Sequence, residues 1–145
     1  MAKKPRIRAI AICLMRRGDR ILVQEGRDKV TGERLARPLG GGIDFTEHSR
    51  TAIIREIREE LGADIVDVKQ LGIVESIYVY EGEPGHQIVF VYDGRFVDEH
   101  LYEKSTLVVT EGKRTFKARW RSLEELRQGS RSEERRVGKE CRSRW

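Results

Sequence analysis

Cysteine is scarce in this chain of 145 residues: Cys13 and Cys141 are the only two. Their separation fits neither a metal-type spacing nor a disulfide framework, so neither kind of staple is expected to hold the fold. Histidine is almost as rare, and His48, His86 and His100 share no ligand spacing, which leaves them as structural or surface residues. No apolar run approaches the length of a membrane-spanning helix. The opening "MAKKPRIRAI" has lysines but neither the apolar core nor the small-residue cleavage site of a signal peptide. A cytoplasmic protein is expected. Internal repeats and domain linkers are also missing. What remains, 38% hydrophobic and 37% charged residues, suits one soluble domain with one core.

The last fifteen residues, "RSEERRVGKECRSRW" from Arg131 to Trp145, have no apolar period and no turn logic. They resemble the in-frame translation of a short-read sequencing adapter, and are set aside as a non-native scar. The domain is then expected over residues 1–130, its last helix cut short and its natural end lying beyond Ser130. The formal net charge of +5 shrinks accordingly. Six Lys/Arg and three Glu belong to the scar, which leaves 23 basic and 21 acidic side chains, a net +2. A basic nucleic-acid-binding domain is therefore a poor reading of the high pI.

Along the chain, "IRAIAICLMRR" (Ile7 to Arg17) reads as a strand, Gly18-Asp19 as a turn and "RILVQEGR" (Arg20 to Arg27) as the hairpin partner. "DKVTGERLA" is expected to be a polar loop, and the glycines of "RPLGGGIDF" a place where backbone turns sharply or approaches something closely. From Glu47 to Leu61 the apolar residues Ile53, Ile57 and Leu61 recur at helical spacing, and Gly62 is a natural stop. Strands are predicted over Asp64 to Tyr80 with a break at Gly72, over Gln87 to Val97 with a break near Gly94, over "TLVVTE", and over Thr115 to Trp120, with a loop at "EGEPGH". Ser122 and Glu125 are spaced as a capping box for a further helix. Strands on both sides of a central helix predict an α/β layered domain with a mixed sheet.

Within the helix, "REIREELG" puts Glu56, Glu59 and Glu60 on the flank of the apolar stripe. Like charges at this spacing repel by roughly 0.2–0.5 kcal/mol per pair. Hard divalent cations seek such oxygen ligands, and a bound cation removes the repulsion. The nearby glycines let a backbone carbonyl reach the same ion. An ion bridging two phosphates would neutralise their charge and orient an attacking water.

From Gly41 the chain runs "GGIDFTEHSRTAIIREIREELGA", with the form G-x5-E-x7-R-E-U-x-E-E-x-G-U, where U is apolar. Gly41, Glu47, Arg55, Glu56, Ile57, Glu59, Glu60, Gly62 and Ala63 fill it in order. The seven strictly specified positions match by chance on the order of 10⁻⁸ per start site from average residue usage. The stretch resembles the signature box of the Nudix (MutT-like) hydrolases, and the strand order over roughly Arg6 to Leu126 is also similar. Leu39, Thr46 and Ala63 depart from the residues usual at their positions and bear on loop shape more than on chemistry.

The resemblance implies an α/β/α sandwich around a central mixed β-sheet. It implies hydrolysis of a nucleoside diphosphate linked to another group, X, to a nucleoside monophosphate and phospho-X. Glu56, Glu59 and Glu60, with the carbonyl of Gly40, would hold Mg²⁺ or Mn²⁺. Arg55 would orient box carboxylates, Glu47 among them. The general base varies within the family, with Glu56 one candidate and Glu111, from a later loop, the other. A homodimer is a further implication.

Outside the box, Arg27, Lys29, Arg34 and Arg37 lead into it and could grip phosphates; Arg27 and Arg37 are the candidates carried forward. Tyr78 and Tyr80 could stack on a base. Tyr80 stands 17 positions after the box, where some dinucleoside-polyphosphate hydrolases carry a tyrosine. One tyrosine does not name a substrate. The rival reading from another class is a nucleotide-sensing module without turnover. Such a module would be expected to lose box carboxylates, and this chain keeps them all.

Overall fold

Strand β1 (Ile7–Arg17) is the spine of the molecule, and it is buried on both sides. Ala11, Cys13 and Met15 face the main core, while Ile10 and Ile12 join Val89 in a second, smaller cluster. A strand covered on both faces has no reason to alternate apolar with polar residues, which explains the continuous run "AIAICLM". The computed structural model describes residues 4–127. The expected tail over 131–145, with Cys141, lies outside them.

Seven strands form one mixed sheet: β1, β2 (Arg20–Arg27), β3 (Arg34–Gly42), β4 (Ile65–Tyr80), β5 (Glu83–Phe96), β6 (Thr106–Glu111) and β7 (Arg114–Ser122). Their spatial order is β4-β5-β1-β3-β2-β7-β6. β1 runs parallel to β5 from Ile7 opposite His86 to Met15 opposite Gly94, and every other pairing is antiparallel. Helix α1 (Ser49–Leu61) lies across β1, β3 and β6, with Ala52, Ile53 and Ile57 fully buried. Gly62 ends it in the left-handed region at φ 66°, its N–H donating to the Arg58 carbonyl at 2.8 Å. That conformation suits glycine because no Cβ collides.

Two expected loops need correction, and the break expected near Gly94 is absent, β5 running unbroken to Phe96. The loop expected over 28–36 is shorter, because β3 already begins at Arg34 and pairs along β2. The glycine run closes that strand and makes the close approach expected of it: Gly41 and Gly40 pair with Ala11 and Ile12. Gly40 sits at φ 152°, and a Cβ there would run into the Ala11 carbonyl, so the close approach is backbone against backbone. The loop expected at 81–86 shrinks to Glu81 and Gly82, both at positive φ, with β4 and β5 pairing from Tyr80 opposite Glu83. Two positive-φ residues make the tight turn that matches strand twist, so the hairpin extends where polarity suggested a loop.

The break expected at Gly72 is a shift of register between Gln70 and Gly72, with a second between Val66 and Lys69. A short 3₁₀ turn, Glu99–Glu103, was not foreseen; the Asp98 carboxylate caps it by accepting the His100 N–H at 3.1 Å. The capping box is half formed, Glu125 N–H donating to Ser122 Oγ at 3.2 Å, and residues 123–127 are helical. Among the described residues no helix is long and apolar enough to cross a membrane.

Candidate active site

Arg55 organises the site. Its Nε and Nη2 grip both oxygens of Glu47 at 2.8 Å each, and Nη2 also donates to the Gly42 carbonyl at 3.0 Å. Nη1 reaches Glu56 at 3.0 Å and Glu59 at 3.3 Å, and Asp44 lies 3.5 Å from Nη2. A planar guanidinium suits this work because its donors are fixed in a fork. Helix α1 supplies Arg55, Glu56 and Glu59, and the segment between β3 and α1 supplies Asp44 and Glu47. The helix is thereby tied to the glycine end of β3.

Glu47 is a holding group. The Arg55 fork and the Asp44 N–H, which donates to it at 3.0 Å, hold its carboxyl down at about 2. It stays ionised at any pH where the protein functions. Glu60 is the opposite case. It is the one box carboxylate buried in the core side of the helix, 6% exposed. Burial, then the charge and hydrogen bond of Glu56, then the charge of Glu111, push it up to about 8, while Arg37 acts the other way. Two neighbouring carboxylates in poorly solvated surroundings cannot both ionise without cost. Glu60, hydrogen-bonded to Glu56, therefore keeps a proton near neutral pH.

The three helix glutamates are graded and not equivalent. The Glu59 side chain is 58% exposed and that of Glu56 17%. Gly41 faces Glu56 so closely that a Cβ there would lie 2.5 Å from Glu56 Oε2. The bare glycine is thus the cradle of that carboxylate, the close approach the glycine run predicted. Hard oxygen donors of this kind suit Mg²⁺ or Mn²⁺. Among the described residues, no three Asp, Glu, His or Cys side chains stand close enough to hold an ion as they are. Glu59, drawn to Arg55, would have to turn inward.

The second wall comes from the sheet. Glu111, at the end of β6, acts on Glu60 and lies 3.8 Å from Arg37 Nη2. Arg37 in turn acts on Tyr80, whose phenol is pushed up by burial and by the charges of Glu81 and Asp28. The structure thus brings Glu111 and Arg37 toward the box carboxylate Glu60, with Tyr80 within electrostatic reach of Arg37. Arg27 is turned elsewhere, donating to the Gly32 carbonyl of its own loop at 3.2 Å. Tyr78 packs across the hairpin against Gly85, which has no room for a side chain. His86 pairs with Glu75 at 2.8 Å and His100 with Glu103 at 3.5 Å, both at the surface as expected. Cys13 is buried, and burial followed by the charge of Asp93 pushes its thiol up to about 12, so it is unreactive.

Sequence reasoning missed Asp44 and Asp28. Asp44 had a signal: it stands three residues before Glu47, and the two exchange hydrogen bonds of 3.0 Å, Glu47 N–H to the Asp44 carbonyl and Asp44 N–H to Glu47 Oε1. Asp28 had none, because its most distant partner is 53 residues away.

Comparison with known proteins agrees with this geometry. The model of the NUDIX domain family matches residues 5–141, a span that runs past the boundary expected at 130. The chain is similar to the crystal structure of a MutT NUDIX hydrolase from Burkholderia pseudomallei. The two share 28% identity at a TM-score of 0.60, over 82% of this chain and 85% of that one. A NUDIX hydrolase from Nitrosomonas europaea shares 18% identity at a TM-score of 0.60, over 87% and 79% of the two chains. A MutT protein from Methanosarcina mazei Go1 shares 18% at 0.55, over 86% and 83%. The last two speak for the fold alone, an α/β/α sandwich around a mixed sheet. A search among curated proteins finds no match. Box, sheet order and family match converge: the chain belongs to the Nudix family, as a Nudix pyrophosphohydrolase.

Proposed function

We propose that the protein cleaves the pyrophosphate bond of a nucleoside diphosphate linked to another group, releasing a nucleoside monophosphate and phospho-X, with Mg²⁺ or Mn²⁺ as cofactor. The observation that carries this reading is the Arg55 lock, which fixes Glu56 against bare Gly41 beside the buried Glu60. Glu56, Glu59, Glu60 and the Gly40 carbonyl would hold the ion. When bound, it supplies neutralisation of phosphate charge and activation of water. The protein's own groups do the rest. Glu47 and Arg55 touch no substrate; they hold Glu56 in one orientation, which limits the reorganisation left for the chemical step. Glu111, exposed and within electrostatic reach of Glu60, would take the proton of the attacking water, with Glu56 as the rival base. Arg37 would leave Glu111 for a substrate phosphate, and Tyr80 would lie against the nucleoside. Arg27, the other arginine candidate, is held by its own loop.

The deciding experiment is a substrate panel with Mg²⁺: deoxynucleoside triphosphates including oxidised ones, ADP-ribose, dinucleoside polyphosphates and nucleotide sugars. At least one should yield a nucleoside monophosphate, and Glu56→Gln and Glu60→Gln should each lower that rate by orders of magnitude. Full activity in both variants sinks the mechanism. Nucleotide binding without turnover on any member points instead to a sensing module.

The domain is proposed to be residues 1–130, with 131–145 non-native. Deleting 131–145 should then leave the melting temperature and the turnover unchanged. A drop in either makes the tail part of the domain.

A further inference from the structure

Asp28 is a buried carboxylate, 4% exposed, in the loop between β2 and β3. One oxygen accepts the N–H groups of Val30 at 2.8 Å and Thr31 at 3.0 Å, which closes its own loop. The other accepts the Glu81 N–H at 2.8 Å, at the tip of the β4–β5 hairpin. The link is returned more weakly, Lys29 N–H donating to Glu81 Oε1 at 3.4 Å. Glu81 is a non-glycine residue at φ 51°, a conformation that side chains seldom adopt without outside support. Its immediate neighbour is Tyr80, and Arg37 lies within electrostatic reach of both Tyr80 and the box carboxylate Glu60.

We propose that Asp28 is a positioning residue for substrate specificity: by stapling the 28–33 loop to the hairpin tip, it fixes Tyr80 beside Arg37 and so shapes the wall that receives the nucleoside diphosphate. This rests on the hydrolase reading above. No part of the staple touches Glu56, Glu59 or Glu60. Its loss acts on where the substrate lies and not on how the bond is cleaved. A group that contributes equally to ground-state and transition-state binding shows in KM and not in kcat.

The test compares Asp28→Ala and Asp28→Asn with the unaltered protein on the best panel substrate, together with amide hydrogen exchange at Glu81. Asp28→Ala should raise KM about tenfold with kcat within about twofold, and speed exchange at Glu81. Asp28→Asn keeps one oxygen acceptor and should fall between the two. Unchanged KM in a folded Asp28→Ala, or a fall in kcat at constant KM, overturns the proposal. Should Asp28→Ala not fold, Asp28→Asn decides by the same criteria. If no panel member turns over, the Kd of an α,β-methylene nucleoside diphosphate replaces KM. Glu60→Gln separates the two ideas: it should abolish turnover yet leave Glu81 exchange unchanged. Full turnover in both Glu60→Gln and Glu56→Gln fails the carboxylate mechanism while the Asp28 result still stands or falls by KM or Kd.

Discussion

Glu60 and Glu47 are the same residue type with opposite titrations, and the cause is what surrounds each carboxylate. For Glu60 the folded protein holds a proton that the unfolded chain has already released between its ordinary 4.5 and about 8. Stability contributed by the protonated form is complete below pH 4.5 and is lost as pH rises toward 8. Glu60→Gln removes that dependence, so metal-free Glu60→Gln should be more stable than the parent at pH 8, with the difference fading toward pH 4.5. Thermal melts across that range check it. Glu47 runs the other way: its ionised form stabilises the fold above 4.5, and the contribution is lost as pH falls through about 2. Glu47→Gln should therefore unfold at a less acidic pH than the parent in an acid titration. Of these roles the sequence showed the positions and the chemistry. It did not show that burial separates Glu60 from Glu59, because a single residue step around the helix distinguishes a core-facing carboxylate from a half-exposed one only after α1 docks on the sheet.

The elements differ in what a small change does to them. Gly40 and Gly41 are adjacent in β3 yet protect different things. An added Cβ at Gly40 meets the backbone of β1, whereas at Gly41 it meets the Glu56 carboxylate. Gly40→Ala should therefore lower the melting temperature sharply. Gly41→Ala should fold but lose about a hundredfold in kcat, the scale on which a misplaced catalytic group is felt. Parallel measurement of melting and turnover separates the two. Ile57, fully buried on the inner face of α1, offers a third contrast: Ile57→Ala should cost about 2–5 kcal/mol in denaturant unfolding. The strands β1, β2, β6 and β7 and the helix were legible from apolar period and turn residues. The continuation of β3 through the glycines and of β5 through Pro84 and Gly85 was not, since composition says loop while neighbouring strands, reaching across from β1 and β4, provide the hydrogen-bond partners.

At the scale of the whole molecule, two walls meet at the box. One is helix α1 with its locked carboxylates, and the other comes from the sheet, where Glu111 and Arg37 act on Glu60 and Arg37 acts on Tyr80. The first wall was readable because its residues are contiguous. The second was only guessable, since β3, β4 and β6 contribute one residue each and their meeting depends on strand order. A metal that needs Glu60 ionised must displace the proton it holds. Mg²⁺ binding near pH 7 should therefore release a proton, and affinity should rise with pH up to about 8. Calorimetry in buffers of different ionisation enthalpy reads that proton directly.

The Arg55 guanidinium is shared by Glu47, Glu56, Glu59 and Asp44. One positive charge among four negative ones makes Arg55 a built-in counter-ion that the site carries when no metal is there. On the proposed reading, recruiting a cation would be an exchange of partners: Glu59 would trade a resident charge for a visiting one. The net gain would then be a difference between two favourable pairings, less than the new pairing alone supplies. Such a site would bind its ion loosely and let it depart with the products, the cation behaving as a co-substrate of each turnover more than as a permanent part.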